Sequence, residues 1–370
     1  MKKSLLALAV LAASGAAMAQ SSVTLYGVAD AGVTYVNGDK NWSGVTSGNN
    51  LTSRIGFRGV EDLGGGLKAN FRLEAGLNLD NGDGASSYAG AKAGDGLAFK
   101  RQSTVGLEGG FGEVRLGREL TAAYNATARY DVFGAVGIGQ SRLWADGGVL
   151  DTGAYDKART TNQRVSNAVT YVSPNFSGFK AAVNYGFGEV AGSNRANRYF
   201  GGGLTYDNGP LSLGLSAERQ NNVGGNVTTA IQQNNGADVT AWALGGSYNF
   251  GVVKLAGAYK DNKAKFADGS KDKMKGYYIG LSAPVGAAGE VKASYNRYEN
   301  KFEEGKLKAD QFALGYVHNL SKRTAVYGTY AYIKNKNNEG FNMGLNQMGG
   351  ATLKTNGSQQ GLQVGVRHAF

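Results

Sequence analysis

Between residues 22 and 35 the side chains change character at nearly every step. Val23, Leu25, Gly27, Ala29, Ala31, Val33 and Tyr35 are small or apolar, while Thr24, Tyr26, Asp30 and Thr34 hold the opposite parity. A period of two predicts an extended strand with one apolar and one wet face. The run "NFRLEAGLNL" repeats it, separating Phe71, Leu73, Ala75, Leu77 and Leu79 from Asn70, Arg72, Glu74 and Asn78. The same signal recurs down the chain and predicts strands that begin near residues 22, 51, 67, 99, 113, 164, 179, 198, 211, 238, 252, 274, 290, 310, 323 and 358. Most are about ten residues long, the length of a tilted strand that crosses a bilayer.

The connections alternate in length. Turns rich in Gly, Pro or Asn stand at "EDLGGGL", "GGFGE", "PNFSG", "YDNGP", "NFG", "PVGAAG" and "HNLSKR". Longer polar loops run near 38–50, 81–98, 122–163, 188–197, 221–237, 261–273, 300–309 and 335–357. All long loops therefore fall at one end, which a secreted β-sandwich has no reason to do. The pattern predicts an all-β fold, a 16-stranded antiparallel transmembrane β-barrel with short turns at one rim. The last ten residues, "GLQVGVRHAF", keep the alternation to the terminal Phe370. A final strand held to its last residue needs a partner, and the first strand supplies it, because an open edge does not survive in hydrocarbon. Phe71, Phe111, Phe250, Tyr316 and Phe370 lie near strand ends on the apolar parity, where an aromatic girdle meets the membrane interface.

Composition agrees: 59 glycines, 20 tyrosines and 15 phenylalanines accompany 3 prolines and no cysteine. Without cysteine there are no disulfide staples, thiolate metal sites or cysteine nucleophiles. Residues 1–19 carry two lysines, a short apolar stretch and small residues at Ala17 and Ala19, which predicts a cleaved signal peptide and a mature barrel of residues 20–370. That apolar stretch is too short for a spanning helix, and none follows it.

Charge sharpens the picture. Lysine plus arginine number 39 against 28 acids, a formal net charge of +11. By parity Arg54, Arg58, Arg72, Arg115, Arg164 and Arg367 point inward, and the acids Asp30, Glu74 and Glu108 share that face. The plain reading is a set of solvated lumen residues with local counterions. The sharper one is a guanidinium-lined wall that concentrates anions, since arginine stays charged and pairs with carboxylate and phosphate. Arg101 has the parity of Val105 and Leu107, so it faces inward only if the strand is irregular. Lys263, Lys265, Lys271, Lys273 and Lys275 form a basic run in a loop, either solvated or attracted to lipopolysaccharide phosphates or incoming anions.

Catalysis has little material. The only histidines, His318 and His368, sit near strand ends with no Ser/His/Asp arrangement around them, so no enzyme is expected. "DNGDG" at Asp80–Gly84 lacks the later ligands of a calcium loop and reads as a turn. No metal, cofactor or nucleic acid is expected. Tyr124, Tyr130, Phe133, Trp144 and Tyr155 in the longest loop leave room for a substrate-selective channel for a sugar or organic acid, and an adhesin is a further alternative.

The runs "SSVTLYGVADAGV", "SRIGFRGVEDLGGGLKANFRLE", "RQSTVGLEGGFGEVRLGRE" and "VGVRHAF", in this order, resemble the general diffusion porins of Gram-negative outer membranes, in particular their beta-proteobacterial branch. The resemblance implies an outer-membrane homotrimer that lets ions and small hydrophilic solutes diffuse passively. It implies that the third loop, residues 121–163, folds into the lumen as a constriction opposite basic wall residues, which by position are Arg54, Arg72, Arg101 and Arg164. Arg58 and Arg367 then line the exit. The enterobacterial turn "PEFGG" is replaced here by "YDVFGA", so Asp131 is the loop acid expected to face the pore. Phe370 matches the terminal signal read by the barrel assembly machinery.

Overall fold

The computed structural model describes residues 22–38, 41–85, 96–144, 163–223, 237–302, 305–336 and 357–370. The wall consists of β1 (Ser22–Asn37), β2 (Arg54–Gly64), β3 (Leu67–Leu77), β4 (Gln102–Gly109), β5 (Gly112–Leu120), β6 (Arg164–Val172), β7 (Phe179–Gly186) and β8 (Tyr199–Asn208). It continues with β9 (Leu211–Val223), β10 (Ala237–Asn249), β11 (Lys254–Phe266), β12 (Lys271–Val285), β13 (Gly289–Phe302), β14 (Gly305–Asn319), β15 (Thr324–Lys336) and β16 (Ser358–Ala369). Each strand pairs antiparallel with its neighbours in the chain, and β1 pairs with β16 from Val28↔Ala369 to Asn37↔Gln360, so the sheet closes.

The seam is finished by the last residue. The Gly27 N–H donates to the Phe370 carbonyl at 3.0 Å, and the Phe370 N–H donates to the Gly27 carbonyl at 3.1 Å. The Phe370 ring lies where a side chain on Gly27 would project, so this close approach requires glycine.

The alternation read from the sequence is the alternation of the wall. In β1, Val28, Asp30 and Thr34 are buried inside while Val23, Leu25 and Val33 are more than half exposed outside. So much exposed aliphatic surface suits a lipid environment, which takes the place of a core. The girdle residues Phe111, Phe250, Tyr316 and Phe370 are exposed on that outer face.

Strand enters several of the expected loops, in 81–98 only as Gly84–Ala85 paired with Gly76–Leu77. A short strand, Trp42–Ser47, pairs with Ala31–Val36 inside the first loop. β11 and β12 run through most of 261–273, and β13 and β14 through most of 300–309. There the outward parity carries Lys, Asp and Glu in place of apolar residues, so the hydrophobic period fades while the backbone ladder goes on.

The third loop opens with α1 (Ala122–Thr127), capped by the Thr121 hydroxyl, which accepts the Tyr124 N–H at 3.2 Å. Short 3₁₀ turns follow at Ala128–Tyr130 and Arg142–Trp144. Tyr130, Phe133, Ile138, Leu143 and Trp144 are buried. They pack on inward glycines of the wall: Ala126 at Gly203, Tyr130 at Gly214 and Gly245, Leu143 at Gly276, Phe133 at Gly315. A Cβ at Gly276 would stand 2.6 Å from Leu143 Cδ2, and one at Gly315 2.8 Å from Phe133 Cε1. Tyr155 lies outside the described residues.

Candidate functional site

The inward face of β2 and β3 gathers the first charged group. Glu74 receives the Arg101 Nε–H at 2.7 Å and the Tyr26 hydroxyl at 3.0 Å, and Arg54 Nε lies 3.6 Å away. Arg101 precedes β4 and so escapes that strand's parity; it turns inward. Its own carbonyl accepts the Arg164 Nε–H at 2.9 Å. Arg54, Arg101 and Arg164 are therefore brought together, with Glu74 as the carboxylate shared by the first two.

Arg72 belongs to a different row. It stands directly opposite Arg58 in the ladder, and both are exposed. Arg72 reaches Gln102 Oε1 at 3.4 Å, and the Arg58 guanidinium lies 5.4 Å from the centre of the Tyr26 ring. The expected division, Arg72 in the narrow zone and Arg58 at the exit, does not match this register.

Other expectations are corrected. Arg115 faces inward but is bracketed by carboxylates, with Nη1 2.6 Å from Glu113 Oε2 and Nη2 2.8 Å from Glu119 Oε2. Glu113 and Glu119, two residues before and four residues after it, both share its parity. Both acids were available to the same parity reading. Asp30 does not hold an arginine: it accepts N–H groups of Asn50 at 2.8 Å and Leu51 at 2.7 Å and the Tyr327 hydroxyl at 2.5 Å, and so ties the first loop to the wall. Glu108 is exposed opposite Lys68 in the ladder. Arg367 donates to Asn50 Oδ1 at 2.9 Å.

Asp131 does not present its carboxylate to open water. It is 5% exposed and accepts the N–H groups of Phe133 at 2.9 Å, Ala135 at 3.2 Å and Ser141 at 2.8 Å. A carboxylate in this position shapes the loop. Burial pushes it up to about 6 against the pull of those three N–H groups. The loop is also held from the wall: the Tyr278 hydroxyl accepts the Val132 N–H at 2.8 Å, the Tyr298 hydroxyl accepts the Arg142 N–H at 2.9 Å, and Gln311 Nε2 donates to the Gln140 carbonyl at 3.1 Å. Lone inward Tyr and Gln gave no signal in sequence, because their partners are backbone groups far along the chain. At its other end, Arg129 makes a two-bond pair with Asp207, both at 3.0 Å.

A closed barrel with charged side chains inside and aliphatic ones outside can hold a water-filled path across a bilayer. The Gram-negative porin family matches residues 5–338 of this sequence. The chain belongs to the Gram-negative porins. This porin is 46% identical over 383 residues to the Outer membrane porin protein 32 of Delftia acidovorans, with the whole of both chains covered. It is 36% identical over 392 residues to an outer membrane porin of Bordetella pertussis, covering 90% of this chain and 95% of the relative. Among solved structures, the anion-selective porin from Comamonas acidovorans matches with a TM-score of 0.81 at 40% identity, over 95% of this chain and 100% of that one. The porin is of the beta-proteobacterial branch and resides in the outer membrane.

Proposed function

We propose that this porin is a general, anion-preferring channel through which ions and small hydrophilic solutes diffuse without cofactor, catalysis or energy input. The observation that carries the reading is the facing pair Arg58 and Arg72, both exposed on the inner wall, one inward row from Glu74 and two from Arg54, around which Arg101 and Arg164 gather. Fixed guanidinium groups in a narrow aqueous path raise the local concentration of anions. The solved relative that is anion-selective supports it. The loop 121–163 is the constriction, its described part lying on the inner glycines. Tyr130 and Phe133 are spent on that packing and Trp144 lies buried edge-on to Tyr278, which counts against an aromatic sugar slide. The working assembly is a homotrimer set in outer-membrane lipid and lipopolysaccharide, with Phe370 and β16 read by the barrel assembly machinery.

The test is the zero-current potential of the refolded porin in a planar bilayer across a KCl gradient, with Arg54, Arg58, Arg72, Arg101 and Arg164 each replaced by Gln. A potential of anion-selective sign that falls in these variants bears the reading out. A cation-selective or silent membrane overturns it.

A further inference from the structure

The wall takes in extra chain beside β1. On one side Ala31 of β1 stands opposite Ser47, and Val28 stands opposite Arg54. Only Ala29 and Asp30 lie between those two pairs, while the facing chain passes through six residues, Gly48 to Ser53. An ordinary β-bulge carries one extra residue; six against two must leave the ladder. The inner face shows which way they go. The Asn50 and Leu51 N–H groups donate to Asp30 Oδ2 at 2.8 and 2.7 Å, Gln363 Nε2 donates to Asn49 Oδ1 at 2.8 Å, and Arg367 Nη1 donates to Asn50 Oδ1 at 2.9 Å. Asp30, Gln363 and Arg367 all face the lumen, so the excursion enters it. Both of its ends are pinned to the Asp30 carbonyl, which accepts the Gly48 N–H at 2.8 Å and the Ser53 hydroxyl at 2.9 Å.

The tip of the third loop rests on this excursion. A side chain on Gly137 would run into the Asn49 carbonyl, and Gly137 holds φ at 66°, so backbone meets backbone there. The next residue, Ile138, is buried and clamped between two wall glutamines. Its N–H donates to Gln363 Oε1 at 3.4 Å, and its carbonyl accepts Gln311 Nε2 at 3.3 Å. Gln311 joins the loop to Tyr298 of the wall, whereas Gln363, fully buried on β16, joins the loop to the excursion and to Thr34.

We propose that residues 48–53 are a seat built into the wall for the tip of the third loop, with Gln363 and Asn49 as its positioning residues. The proposal rests on the reading of 121–163 as the constriction and adds what sets its width on this side. The tip stands off β1 by the thickness of the seat, and a loop docked on a fixed seat keeps one aperture. Asn50 and Leu51 stay half-buried, so the seat itself borders the water path beside Arg367.

The chain has no cysteine, so two introduced ones can carry spin labels at chosen places. Labels at Ser43→Cys, exposed on the short strand, and Val136→Cys, beside the tip, report the separation of tip and wall in the folded porin by pulsed dipolar spectroscopy. The otherwise native protein is expected to give one narrow distance. Gln363→Met, which keeps the length of the side chain, and Asn49→Ala are each expected to raise the undocked fraction about tenfold, the effect of leaving a buried polar group without its partner. The heat-induced gel shift of the barrel stays, and open-channel current noise rises in both. A distance that stays narrow in both variants overturns the proposal, whether or not Gln311→Met broadens it. Variants with a freed tip and a native current trace bear out the seat and count against the constriction reading alone.

Discussion

Arg58 and Arg72 are exposed neighbours while Arg115 is clasped by two acids, so equal formal charges on one wall are not equal in effect. Removing Arg58 or Arg72 is expected to lower the anion preference by up to roughly fivefold, the worth of one unit charge at contact range in water. Arg115→Gln leaves Glu113 and Glu119 without their shared cation and is expected to shift the zero-current potential toward cations, whereas the double variant Glu113→Gln/Glu119→Gln is expected to make it more anion-selective. Asp131 offers a pH test. Its carboxyl titrates near 6 in the folded loop, above its ordinary range, so the stability it lends is full below about pH 4 and is lost as pH rises through 6. Protease resistance of the segment 121–144 is expected to fall across that window, and Asp131→Asn to remove the dependence. Parity in the sequence told which arginines face inward, Arg101 excepted, because facing depends only on local alternation. It could not tell who pairs with whom: the partners of Asp131 are its own loop's N–H groups, and those of Asp30 include Tyr327, almost three hundred positions away.

At the level of elements, the third loop and the wall behind it are cut to fit. Gly276→Leu is expected to push Leu143 inward from its seat, at a cost of about 1–3 kcal/mol to the docked loop. Single-channel conductance should change while the heat-induced shift of the folded barrel in gel electrophoresis stays. The positions of the wall strands were legible within a few residues, since period-two runs and glycine turns are both local signals. The strand extensions of β11 to β14 were not, because the outward residues there are charged and only hydrogen bonding marks them as strand. The inward glycines were visible as letters, but a glycine that makes space for a distant loop looks in sequence like one that makes a turn.

For the whole molecule, the inner arginines act through a field that salt screens. Raising KCl from 0.1 M to 1 M shortens the screening length from about 10 Å to about 3 Å, so the anion preference is expected to decline steeply when the permeability ratio is measured across that range. Overall charge and the sixteen-strand count were both in the sequence; the sharing of charge between lumen and outer rim emerged only with the register. The seam where Gly27 and Phe370 exchange hydrogen bonds has a consequence in time. The first strand to be synthesised waits for the last, so every other pairing can form before the ring is shut. A chain cut short by even one strand has raw edges on β1 and β15 at once, and therefore no partially functional form in a bilayer. Loss of the strand that closes the seam is therefore an all-or-none loss of the barrel.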